Sequence, residues 1–138
     1  MKMAIAAAVL LASFVAAHAA DPPKVQPTPV ANIDTTITGQ RIVVPTKPDV
    51  IVATALFPPG ARLPVHKHLY PHYVYVTLGT LTVVNIETHT TRRFQAGSFI
   101  AEPVNTWHYG VNNENGPLTV LVIDQVPHGM KGNMVTKP

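Results

Sequence analysis

Four of the seven histidines in this chain, His66, His68, His72 and His108, fall into two short segments, 60–79 and 97–112. Imidazole is the commonest side-chain ligand for transition metals, and four nitrogens nearly fill a small coordination sphere. The chain has no cysteine, so a metal here must be held by nitrogen and oxygen, and disulfides, thiolate chemistry and a lipoprotein anchor are excluded. Burying several imidazoles in an apolar interior without partners costs on the order of 2 kcal/mol each. These histidines therefore either bind something or point outward.

The elements that would position them read as strands. Runs rich in Val, Ile, Thr and aromatics at 41–44, 50–57, 72–78, 81–88, 99–101, 107–111 and 118–126 are separated by turn signals at 45–49, 58–60, Gly79, Gly97 and 112–117. No stretch of a dozen residues shows helical apolar periodicity, and 14 prolines would break one. Strand parity puts His66 and His68 on one face with Lys67 on the other. It also groups His72, Val74, Val76 and Leu78 against Tyr73, Tyr75 and Thr77. His108 reaches the same interior if the sheet closes on itself, which a barrel supplies. Trp107 has the opposite parity. His89, in a hairpin-like turn, and His128, beyond the last run, read as ordinary surface residues.

Both histidine segments resemble the two signature motifs of the cupin superfamily, G-x5-H-x-H-x(3,4)-E-x6-G and G-x5-P-x-G-x2-H-x3-N. Gly60, His66, His68 and Gly79 match the first, and Gly97, Pro103, His108 and Asn112 the second, with 17 residues between the motifs. His72 stands at the glutamate position. Asn105 replaces a turn glycine, a mild change because asparagine tolerates positive φ. The resemblance implies an all-β, single-domain jelly-roll barrel. It also implies one divalent transition metal on His66, His68 and His108, with His72 as a fourth ligand by position, as in small four-histidine cupins.

Replacing a carboxylate by a neutral imidazole raises the charge of a divalent site from +1 to +2, which strengthens Lewis acidity. It also removes the ligand best able to act as a base, leaving Glu102 and Tyr70 as candidate catalytic groups. Glu102 beside Pro103 is expected on an outward-facing rim, where most carboxylates sit. The metal is iron, manganese, copper or zinc: two open adjacent positions would suit iron(II) or manganese(II) with substrate and dioxygen, a closed tetrahedron zinc or copper. The function expected from the resemblance is a metal-dependent oxygenase acting on a small organic molecule, with Phe57, Tyr70 or Trp107 near the pocket mouth. Two alternatives stand beside it, a non-catalytic metal- or ligand-binding protein and a metal-dependent lyase or isomerase.

With 138 residues there is room for one domain, and 46% apolar against 12% charged residues argues for a packed core. A formal net charge of +3 spread along the chain gives no nucleic-acid footprint. Residues 1–19 read as an export signal, with Lys2, an apolar stretch over 4–17 and the small-x-small sequence Ala17-His18-Ala19; the stretch is shorter than the ~20 residues that span a bilayer. The expected organisation is this signal, a proline-rich lead-in and first strand over 20–40, the barrel over 41–127 and a C-terminal tail over 128–138. A periplasmic or secreted homodimer, free of the membrane after cleavage, is expected, with the Tyr73/Tyr75 face and the lead-in covering a neighbouring subunit.

Overall fold

β-branched runs punctuated by proline and glycine pair as nine strands in a computed structural model that describes residues 21–138. The strands are β1 (Pro48–Phe57), β2 (His66–His68), β3 (His72–Leu78), β4 (Thr80–Asn85), β5 (Thr90–Gln95), β6 (Phe99–Ala101), β7 (His108–Val111), β8 (Leu118–Pro127) and β9 (Met134–Thr136). They form a four-stranded sheet, β1-β8-β3-β6, and a five-stranded sheet, β5-β4-β7-β2-β9, with antiparallel ladders throughout. Among the described residues there is no helix, so none is long and apolar enough to cross a membrane. The fold is an all-β jelly roll. The expected export signal over 1–19 lies outside the described residues.

The core joins the two sheets. Val74, Val76, Leu118 and Val120 from one sheet pack with Leu81 and Val83 from the other, and Val76 and Leu118 are fully buried. Each such side chain contributes about 1.5–3 kcal/mol relative to exposure. The sheets face one another without joining into a single closed ladder. His108 reaches the interior another way: β7 pairs with β2 in one sheet, and His66 stands directly opposite His108.

Several strand expectations change. Residues 41–44 form no strand; Arg41 makes one bridge to Thr35, and Val43 is exposed. The expected strand over 81–88 stops at Asn85, whose Oδ1 accepts the Glu87 and Thr88 N–H groups and turns the chain through His89, at φ 55°. Thr90–Gln95 then forms β5, an exposed strand at the sheet edge with almost no apolar alternation to betray it. A bulge between Val76 and Leu78 shifts the β3–β8 register, so Leu78 turns outward. Gly79, at φ 78°, follows at once, and a Cβ there would lie 2.5 Å from the Pro117 carbonyl oxygen. Finally, the segment read as a C-terminal tail returns to the sheet, where β9 pairs with β2 along its whole length.

Candidate metal centre

β2 delivers the first two histidines as parity requires: His66 and His68 are buried, while the Lys67 ammonium lies 5.0 Å above the Trp107 ring on the opposite face. β7 brings His108, fully buried, and the facing sheet brings His72 at the start of β3. The four rings form one cluster, with His66 4.7 Å from His108 and His68 stacked on His72 at 3.8 Å between centroids.

Glu102 completes the cluster, against the expectation that it faces outward. It is 5% exposed, and its Oε2 lies 3.0 Å from His108 Nε2, 3.1 Å from His68 Nε2 and 3.9 Å from His72 Nε2. The cause is local. β6 ends at Ala101, the Glu102 N–H donates to the His72 carbonyl, and Glu102 keeps the parity of the buried core residue Ile100. Pro103 and Asn105 then turn the chain, with Asn105 at φ 53°, the conformation its motif glycine would adopt, and donating its N–H to the His68 carbonyl.

Three of the four rings are anchored by the nitrogen that faces away from the cluster. His66 Nδ1–H donates to the Pro64 carbonyl at 2.8 Å, His108 Nδ1–H to Thr106 at 2.7 Å and His72 Nδ1–H to Asp124 Oδ1 at 2.7 Å. A carbonyl can only accept, so the tautomers of His66 and His108 are fixed with Nδ1 protonated. His68 Nδ1 is buried with no partner among the described residues. Two residues not singled out from the sequence complete the support. Asp124, on the inward face of β8, sits opposite His72 in the β3–β8 ladder. Asn133, 3% exposed, donates to Asp124 Oδ1 at 2.7 Å and to the Tyr70 carbonyl, while its Oδ1 accepts from the Leu69 and Tyr70 N–H groups. The lone acid within the apolar run 118–126 was the sequence signal for Asp124. Asn133 gave none.

Charges in the cluster follow from burial and partners. Burial acts to raise the Glu102 carboxyl, but hydrogen bonds from His108 and His68 outweigh it and hold the group well below the usual carboxylate range. Burial lowers His68 to about 4, and likewise lowers His66 despite its bond to Pro64. His108 goes the other way: burial is outweighed by the Glu102 carboxylate, and both its ring nitrogens face acceptors. Asp124 is held low: burial acts to raise it, but the hydrogen bond and charge of His72, together with the Asn133 hydrogen bond, outweigh that cost.

His66, His68, Glu102 and His108 each offer a donor atom, all within 4.8 Å of one another; His68, His72 and Asp124 make a second such group sharing His68. Imidazole nitrogens around a buried carboxylate are a donor set for a divalent transition metal, and the Nδ1 anchors are the outer contacts that orient metal-binding histidines. The residues present fit the ion. Tyr70 does not line the adjoining cavity; Phe57 does, and Trp107 stays on the outer face with Lys67 and Lys137. His89 is exposed, and His128 pairs with Asp49 away from the cluster.

A family model described as "Cupin domain" matches residues 53–124. No curated protein matches the sequence. Among solved structures, the chain is similar to a sugar phosphate isomerase of the cupin superfamily from Silicibacter pomeroyi, at 27% identity and a TM-score of 0.50 over 56% of this chain and 51% of that one. It is similar in fold to an oxalate decarboxylase from Lactobacillus farciminis, at 24% identity and a TM-score of 0.54, covering 63% of this chain and 26% of that one. A polyketide cyclase from Streptomyces resistomycificus aligns at 21% identity and a TM-score of 0.53, over 67% of this chain and 68% of that one. The chain thus spans about half the length of the Silicibacter isomerase and about a quarter of the Lactobacillus decarboxylase.

Proposed function

Because this chain belongs to the cupin domain family, we propose that it is an exported mononuclear metalloprotein, and that it works as an oxygenase on a small organic molecule. The observation that carries the metal reading is the convergence of His66, His68 and His108 on the Glu102 carboxylate. These four hold one divalent ion, iron, manganese, copper or zinc, with His72 as a further nitrogen donor. The charge argument built on four neutral histidines changes accordingly: Glu102 restores the carboxylate that the motif lost at position 72, and the site charge returns to +1.

When bound, the metal supplies Lewis acidity or a redox centre for dioxygen chemistry. The chain's own residues fix its place and close it from water. The Pro64 and Thr106 carbonyls hold two rings in register, Asp124 with Asn133 holds a third, and an apolar cavity opens beside the donors. Glu102 supplies the one anionic donor among the four residues that hold the ion. Tyr70 stands outside the cavity lining.

The isomerase reading is favoured by the likeness to the Silicibacter protein. Against it, no arginine or lysine among the described residues lines the cavity to meet a sugar phosphate's charge. The dimer is proposed on a surface other than the Tyr73/Tyr75 face, because Tyr73 is occupied within the subunit, stacked on Phe99 and donating its hydroxyl to Gln125. β1, at the sheet edge, carries Val50, Val52 and Leu56 outward and exposed.

The experiment that tests this reading is elemental analysis of protein taken from its exported compartment, together with oxygen uptake on a panel of small organic substrates. One equivalent of transition metal with substrate-dependent uptake is expected. Metal-free protein would overturn the metal site, and bound metal without uptake on any substrate would overturn the oxygenase.

A further inference from the structure

The cavity beside the histidines has a volume of about 360 Å3, toward the small end of the roughly 300–1,000 Å3 typical of ligand pockets. Its walls are divided sharply. Phe57, Leu63, Leu81, Val120, Val122 and Met134 supply apolar surface from both sheets and from β9. Polar groups gather at one end only, where the histidines, Glu102, Asp124 and Asn133 lie. Among the described residues, no lysine, arginine, serine, threonine or tyrosine lines it.

Charge follows from that division: the polar end holds two carboxyl groups, Glu102 and Asp124, and among the described residues no lysine or arginine of the lining faces them. A dianion entering this end would meet two carboxylates and no cationic side chain, while its other polar groups would face Val120 and Val122 with no donor to satisfy them. Leaving buried polar groups unpaired is unfavourable, and more so for charged ones.

We propose that the cavity takes an uncharged, mostly hydrocarbon molecule of about one ring in size that presents a single oxygen donor to the histidine–Glu102 end. This deepens the metal reading above and rests on it. Sugar phosphates and small dicarboxylates are excluded as ligands by the lining, although proteins of similar fold are named for them. Specificity then lies in the apolar wall: Val122 on β8 and Ala55 on β1 decide how large a ring enters.

The test uses the full chain loaded with zinc, which is redox-inert and permits no turnover, titrated calorimetrically with phenol, oxalate and glucose 6-phosphate. Zinc content is measured after each titration. Phenol is expected to bind at least tenfold more tightly than either anion, and Val122→Phe is expected to lose phenol while keeping zinc. Oxalate or glucose 6-phosphate binding as tightly as phenol to protein that retains its zinc would overturn the proposal, as would phenol binding unchanged by Val122→Phe. Should the wild-type chain hold no zinc, the metal reading fails separately. Metal-free protein is then titrated with phenol, and binding that Val122→Phe abolishes supports the apolar cavity, whereas its absence overturns it.

Discussion

His72 and Asp124 lie opposite one another in the β3–β8 ladder, and their side chains meet at 2.7 Å, 52 residues apart in sequence. Asn133, from the segment before β9, closes on the same Asp124 oxygen. A carboxylate placed in this way fixes the ring of His72 and turns Nε2 toward Glu102.

Asp124→Asn removes that control without removing a donor to the metal. Loss of outer contacts of this kind costs about 10–100-fold in metal affinity. We expect a drop in that range in competition with a chelator, with the circular dichroism of the metal-free protein unchanged. An affinity equal to wild type would refute the role of Asp124.

Glu102→Gln keeps the shape of the side chain and removes its charge. Metal affinity is expected to fall at least tenfold, about 1.4 kcal/mol, and by more than in His72→Ala, since His72 Nε2 stands 3.9 Å from Glu102 Oε2 and the His108 and His68 nitrogens 3.0 and 3.1 Å. A larger loss in His72→Ala would reverse that ranking.

Gly79→Ala strikes the β3–β4 turn. The positive φ and a Cβ 2.5 Å from backbone oxygen are both unfavourable to alanine. Strain of this kind costs on the order of 1–3 kcal/mol. Urea unfolding of the metal-free chain is expected to show a lower midpoint at an unchanged slope.

His128 and Asp49 form an exposed pair at 2.9 Å, which raises His128 through its hydrogen bond and lowers Asp49. A raised histidine stabilises the fold below pH 6.5 and loses that contribution as pH rises through its folded pKa; a lowered aspartate contributes above 3.8 and loses it as pH falls through its own. The pair thus acts between those limits. In Asp49→Asn, the His128 titration followed by NMR should move down toward 6.5. A titration that stays put would show that the pair does not persist in solution.

Val52→Lys places a charge in the middle of the exposed apolar stripe on β1. The proposed dimer is expected to become a monomer in light scattering, with the metal site unaffected. A wild-type monomer would remove the dimer altogether.

The sequence by itself determined more of the architecture than of the site. β-rich runs bounded by turn signals placed β3 and β6 to the residue, and period-2 parity turned His66, His68 and His72 inward, since a strand has only two faces. Motif spacing identified His108 and the positive-φ turn at Asn105. Where alternation is weak, at the polar edge strand β5 and the three-residue β9, the sequence offered little to read. The bulge at Leu78 likewise depends on how β3 pairs with β8.

Tertiary structure decided the chemistry. Glu102 and Asp124 both had the parity of inward residues, yet a carboxylate alone in an apolar strand is unfavourable until an imidazole stands opposite it. That pairing arises only when β3 registers against β8 and the turn after β6 crosses β2. The sequence named the nitrogens; the packing of the two sheets supplied the oxygens, because the energy that keeps a buried carboxylate ionised comes from partners far away along the chain.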